Sequence, residues 1–104
     1  MYILEKSEEF DTWLRKLKDL KAKAKILAKL KRAELGNLGN HKYIGNGISE
    51  MIIDYGPGYR LYYTKRRNIL LILLVGGDKS SQSRNIAKAK IAIKNLEVKN
   101  ENKS

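Results

Sequence analysis

The sequence predicts an α+β domain: a small antiparallel sheet with an N-terminal helical hairpin and a C-terminal helix. Three observations carry this. Apolar residues recur at helical spacing through two stretches between Glu8 and Leu35. Strand-like alternation and a continuous apolar run then flank the turn Gly56-Pro57-Gly58, and helical spacing returns after Gly76-Gly77. A chain of 104 residues fits one domain, placed at 1–97, with a polar tail at 98–104.

In chain order, Tyr2-Ile3-Leu4 suits a short first strand. Ser7 then stands where an N-cap is useful, with Glu8 and Glu9 in the first turn. Phe10, Trp13, Leu14, Leu17 and Leu20 follow one buried helical face, and Trp13 is read as core. Asp19 caps a second helix running to about Leu35, with Ala22, Ile26, Leu27, Leu30 and Ala33 on its apolar side and Gly36 as its stop. The other side of the pair carries Arg15, Lys16, Lys18, Lys21, Lys23, Lys25, Lys29, Lys31 and Arg32. Such a face is either simply solvated or docks a phosphate backbone or an acidic partner segment.

Residues 36–47 hold four of the eight glycines and read as a loop around a short strand, His41 to Ile44. Ser49 to Tyr55 alternates, Met51, Ile53 and Tyr55 facing one way and Glu50, Ile52 and Asp54 the other. Past the glycine-proline reversal, a strand from Tyr59 to about Lys65 puts Tyr59, Leu61 and Tyr63 toward the helices. Arg60, Tyr62 and Thr64 are assigned to an open sheet face. Lys65 to Asn68 makes a basic reversal, and the unbroken apolar run Ile69 to Val75 predicts a strand buried on both faces. Asp78 or Ser80 can cap a last helix bearing Ile86, Ala89, Ile93 and Leu96, whose first turn, with Lys79, suits an anion. The simplest packing is an antiparallel meander with its helices gathered largely on one face.

A formal net charge of +11 draws polyanions: nucleic acid, an anionic membrane or an acidic protein. The chain has no cysteine and one histidine, which excludes disulfides, thiolate metal sites and a multi-histidine zinc site. No metal or cofactor is expected. No segment approaches the roughly 20 apolar residues of a membrane span, and MYILEKSEEF lacks a signal-peptide run, so the expectation is a cytoplasmic protein without membrane partners.

The residues Phe10, Trp13-Leu14, Leu17-Lys18-Asp19, Gly36-Asn37, Lys42, Gly45-x-Gly47, Glu50, Gly56-Pro57-Gly58-Tyr59-Arg60-x-Tyr62-Tyr63 and Gly76-Gly77-Asp78-Lys79-Ser80-Ser81-Gln82, in that order and spacing, resemble the RelE/ParE toxin superfamily, in particular its HigB-like addiction-module killer branch. The resemblance covers about residues 7–95. It implies a bacterial type II toxin of RelE-like fold, neutralised by a cognate antitoxin, often a small helix-turn-helix protein. RelE-like toxins cleave messenger RNA on the ribosome, and ParE-like members poison DNA gyrase. A catalytically inactive homologue that only binds its antitoxin is the remaining alternative.

Metal-free RNA cleavage needs a base for the 2′-hydroxyl, charge stabilisation on the phosphate and a proton for the leaving 5′-oxygen. Arg60 matches the arginine of the family's Gly-Tyr-Arg element and has the planar fork that suits phosphate; its alternative is an ion pair with Glu50 or Asp54 across the hairpin. Lys79 is the second phosphate candidate. Glu50, His41 and Tyr62 are the proton-transfer candidates, His41 for its near-neutral pKa. Lys42, Tyr62, Arg66, Arg67, Ser80 and Arg84 complete the expected RNA-binding set. Two positions depart from the family: Ile52 stands where members often carry a basic residue, and Ile86 where RelE has a tyrosine.

Overall fold

The computed structural model describes residues 1–56, 58–76, 84 and 86–94. They form an α+β structure with a five-stranded mixed sheet and three helices: β1 (Ile3–Lys6), α1 (Glu8–Lys16), α2 (Leu20–Glu34), β2 (His41–Gly45), β3 (Ile48–Ile53), β4 (Tyr59–Arg66), β5 (Ile69–Gly76) and a last helix, α3, at 86–94.

Both leading helices begin where their caps dictate. Ser7 Oγ accepts the Phe10 amide at 3.0 Å, and Asp19 Oδ1 accepts the Ala22 amide at 3.1 Å. Each bond satisfies a donor that has no partner inside its helix. Asp19→Ala is expected to cost about 1 kcal/mol and lower Tm by roughly 5 °C in a thermal melt. An unchanged melt would show that α2 is held by packing alone.

Capping also corrects one expectation. The first helix stops at Lys16 and Leu17 turns extended, because Asp19 must stand outside a helix to cap the second; Leu20 therefore opens α2 and is 78% exposed instead of lining the first helix's core face. α2 ends before Gly36, whose φ of +97° provides the left-handed stop.

The strand order is β1-β5-β4-β3-β2. β2 to β5 form the expected antiparallel meander, but β1 joins the β5 edge in parallel, Ile3 opposite Ile69 and Lys6 opposite Ile72. The sheet is thus mixed and not wholly antiparallel, since the chain passes from β1 through both helices and the whole meander before β5 reaches it. The apolar run of β5 lies between β1 and β4, as an interior strand.

Phe10 and Leu14 of α1 and Ile26, Leu30 and Ala33 of α2 cover one sheet face, packing on Met51, Ile53, Leu61, Tyr63, Leu70 and Ile72. Trp13 belongs to this core, stacked on Phe10 with centroids 6.4 Å apart and edge-on to Tyr59 at 5.7 Å. The second sheet face is not open. Ile86, Ala89 and Ile93 of α3 pack there on Ile48 and Tyr62, leaving Tyr62 fully buried and Thr64 nearly so.

The lysine-rich side of α2 is largely solvated, with one exception. Lys29 is 8% exposed, because it lies three residues after Ile26 and four before Ala33, within the stripe that faces the sheet.

Candidate functional site

The register of the meander places the site. Lys42, Glu50 and Tyr62 lie directly opposite one another across β2, β3 and β4, so their side chains share a sheet face, the one that α3 partly covers. Arg60, two residues before Tyr62, shares that face and reaches diagonally to Glu50: Nη1 stands 3.6 Å from Oε1. Of the two cross-hairpin carboxylates, Glu50 is therefore the one that pairs with Arg60. Glu50 is 2% exposed and the Arg60 side chain 16%.

Charge of both signs in so enclosed a place is costly unless matched. The match is incomplete. Arg60 Nε and the Tyr62 hydroxyl are buried without a hydrogen-bond partner among the described residues. Burial holds the Tyr62 phenol above its ordinary pKa; the Glu50 carboxylate adds to that, and the Arg60 charge opposes it. Tyr62 thus stays protonated, a donor held beside an ion pair. Its ring, however, is sealed beneath α3 and offers no surface for stacking a base, which overturns its expected role as an exposed RNA contact.

The remaining candidates are dispersed. His41 pairs with Met51, whose side chain lies in the α1/α2 core, so the alternation of β2 turns His41 to the opposite sheet face from Arg60. There it is exposed, its Nδ1–H donating to the Gly39 carbonyl at 2.8 Å. Lys42 is exposed at the β2 edge of the site. Arg66 and Arg67 sit at the β4–β5 turn, six and seven residues from Arg60 and hence about 20 Å along the strand. Arg84 is exposed at the start of the last helical segment. Lys79 and Ser80 lie outside the described residues, although the register places Arg60 opposite Gly76, three positions before Lys79.

The two apolar residues Ile52 and Ile86 both have structural roles. Ile52 is opposite Arg60 and half-buried, and Ile86 helps to close α3 over Tyr62. Among the described residues no three His, Cys, Asp or Glu side chains come together as metal ligands, and no helix is long and apolar enough to cross a membrane.

The chain is 51% identical over 87 residues to a Haemophilus influenzae protein described as uncharacterized, an alignment covering 84% of this chain and 88% of that one. No protein-family profile matches the chain. No solved structure matches it either.

Proposed function

We propose that this chain, which belongs to the same family as the Haemophilus influenzae protein, is the toxin of a bacterial type II toxin–antitoxin pair. In this proposal the fold is RelE-like, with α1 and α2 as its N-terminal helical hairpin. The toxin works in the cytoplasm as a metal-free endoribonuclease on ribosome-bound messenger RNA and is neutralised by a cognate antitoxin, a small helix-turn-helix protein. The observation that carries it is the Arg60–Glu50 pair, an arginine fork and a carboxylate brought together on one sheet face of a protein with net charge +11.

A substrate phosphate takes the place of Glu50 on the Arg60 fork, which frees the carboxylate to accept the 2′-hydroxyl proton. The 2′-oxygen attacks phosphorus, the bond from phosphorus to the 5′-oxygen breaks, and that oxygen leaves with a proton from solvent. The products are a 2′,3′-cyclic phosphate and a 5′-hydroxyl end. Arg60 stabilises the added charge on the phosphate in the transition state.

The test is to pulse-induce the protein and map 5′ ends across cellular messengers within minutes. New ends inside translated frames are expected. RNA affinity should also fall with salt, by about 50-fold between 50 and 200 mM for about four phosphate contacts. A flat salt dependence would dismiss the basic surface as the RNA contact.

Two observations favour a second function, a toxin that acts by binding alone: His41 lies on the far face of the sheet, and Tyr62 is sealed beneath α3. A ParE-like gyrase poison needs a surface and no proton transfer, and so does a homologue that only binds its antitoxin. Arrest with intact messenger and altered DNA supercoiling would select the first, and harmless expression of folded protein the second.

A further inference from the structure

A groove of about 410 Å3 runs between α2 and the end of the β2–β3 ladder, lined by Lys25, Ala28, Lys29 and Arg32 on one side and Asn40, Ile52, Ile53 and Asp54 on the other. Its volume lies within the roughly 300 to 1,000 Å3 of small-molecule sites. Lys29 is the unusual member. It is more than nine-tenths buried, yet it makes no hydrogen bond or ion pair among the described residues. Its ammonium comes so close to Gly39 that a Cβ at that position would collide with it; Gly39, at φ +59°, leaves the space. Most of the Lys29 side chain is covered while its ammonium stays open to the groove, so with Arg32 beside it Lys29 presents a positive charge that an anion in the groove can meet.

We propose that this groove binds a phosphate ester, with the phosphate received by Lys29, Lys25 and Arg32. Three cations face one carboxylate, Asp54, so the lining carries a surplus of two positive charges. A phosphate dianion matches that surplus, where a carboxylate would meet half of it. Arg32 adds the planar fork that suits phosphate oxygens. Ala28, Ile52 and Ile53 supply an apolar wall for the organic part of the ester, of the size of a mononucleotide. Lys29 supports the same conclusion from its own chemistry: burial, with the Arg32 charge added, lowers its pKa from 10.5, and a bound anion reverses that penalty. The groove lies against α2; it borders the Arg60 site through Ile52, which pairs with Arg60, but neither Arg60 nor Glu50 lines it, and the proposal does not depend on toxin activity.

A free mononucleotide-like monoester carries the dianion that matches this surplus; a backbone phosphodiester of RNA, with one negative charge, is the other phosphate source the experiment distinguishes. The experiment titrates the full-length protein, at fixed ionic strength, with inorganic phosphate, with adenosine monophosphate and with a hexaribonucleotide lacking a terminal phosphate. Amide chemical shifts provide the readout. Shifts centred on Gly39, Asn40 and Ile52 are expected. Lys29→Met should weaken phosphate about tenfold or more, while Lys31→Gln, an exposed position of α2 outside the groove, should change it less than about twofold. Arg32→Gln, at an exposed position, should weaken it in the same direction and serves if Lys29→Met does not fold. Tighter binding of the monophosphate identifies a free ester, and tighter binding of the hexamer identifies a backbone phosphate. Equal affinities in Lys29→Met and Lys31→Gln would overturn the proposal, as would shifts spread along all of α2. So would acetate or a glutamate-rich peptide binding the groove at least as well as phosphate does.

Discussion

Arg60→Ala is expected, on the proposed endoribonuclease function, to abolish growth arrest and to remove the new 5′ ends that this function predicts for the unsubstituted protein. The expected loss is at least 100-fold to 1,000-fold, the scale on which removing one positioned donor to a transition-state oxyanion acts. The substitution also takes a cation from beside a carboxylate that is 2% exposed, so some stability goes with it. A domain of this size ordinarily has about 5 to 15 kcal/mol in hand, and the variant should remain folded at 25 °C. A thermal melt recorded beside the arrest assay separates lost chemistry from lost structure. Arg60→Lys refines the result, because it keeps the charge and loses the fork. If bidentate phosphate binding is the role of Arg60, lysine should recover little. A folded Arg60→Ala protein that still arrests growth would remove Arg60 from the mechanism.

What was legible in the sequence was mostly short-range. Ser7 and Asp19 announce their helices because a cap and its amide are three residues apart, and both caps form. The alternation of β4 correctly separates Leu61 and Tyr63 from Arg60 and Tyr62, because side-chain direction in a strand follows from counting by two. The same counting could have placed His41 only with the register to Met51 in hand, and register depends on the intervening turn. That turn carries a signal of its own. Asn46 and Gly47 both have positive φ, 55° and 76°, the conformation a two-residue hairpin requires, and Asn-Gly is its preferred pair. Reading 36–47 as a loop around a short strand, His41 to Ile44, finds the strand but overlooks this turn.

Long-range choices were not legible. Nothing local in Ile3–Lys6 says that β1 will lie parallel to β5, since the partner lies more than 60 residues along the chain. Nor does the apolar face of α3 say which side of the sheet it will cover. That choice decides whether Tyr62 is a binding surface or a buried donor. Lys29 is the instructive intermediate case. Its place in the stripe of Ala22, Ile26 and Ala33 could be read by counting along α2, but the run of lysines around it hides a single member that faces inward.

Glu50→Ala should produce a large loss of stability at the candidate site. Arg60 has Nη1 at 3.6 Å from Glu50 and its Nε buried without a partner, so removing the carboxylate leaves a largely enclosed guanidinium poorly compensated. Breaking a buried pair from one side typically costs about 3 to 5 kcal/mol, and the 16% exposure of Arg60 puts the expected loss at the lower end, about 3 kcal/mol, or roughly 15 °C in Tm. Replacing both members with apolar side chains, as Glu50→Leu with Arg60→Met, should recover most of that loss, because no charge then remains to be desolvated. On the proposed function the double variant should nevertheless be inactive, since it would lack both the base and the phosphate fork. Stability and activity would then part company: losing the pair together would cost the fold little and, on the proposed function, cost the activity. A Glu50→Ala protein that melts within about 0.5 kcal/mol of the original, near the scatter of ordinary surface substitutions, would show instead that solvent reaches Arg60 freely and that the pair is not the enclosed unit described here.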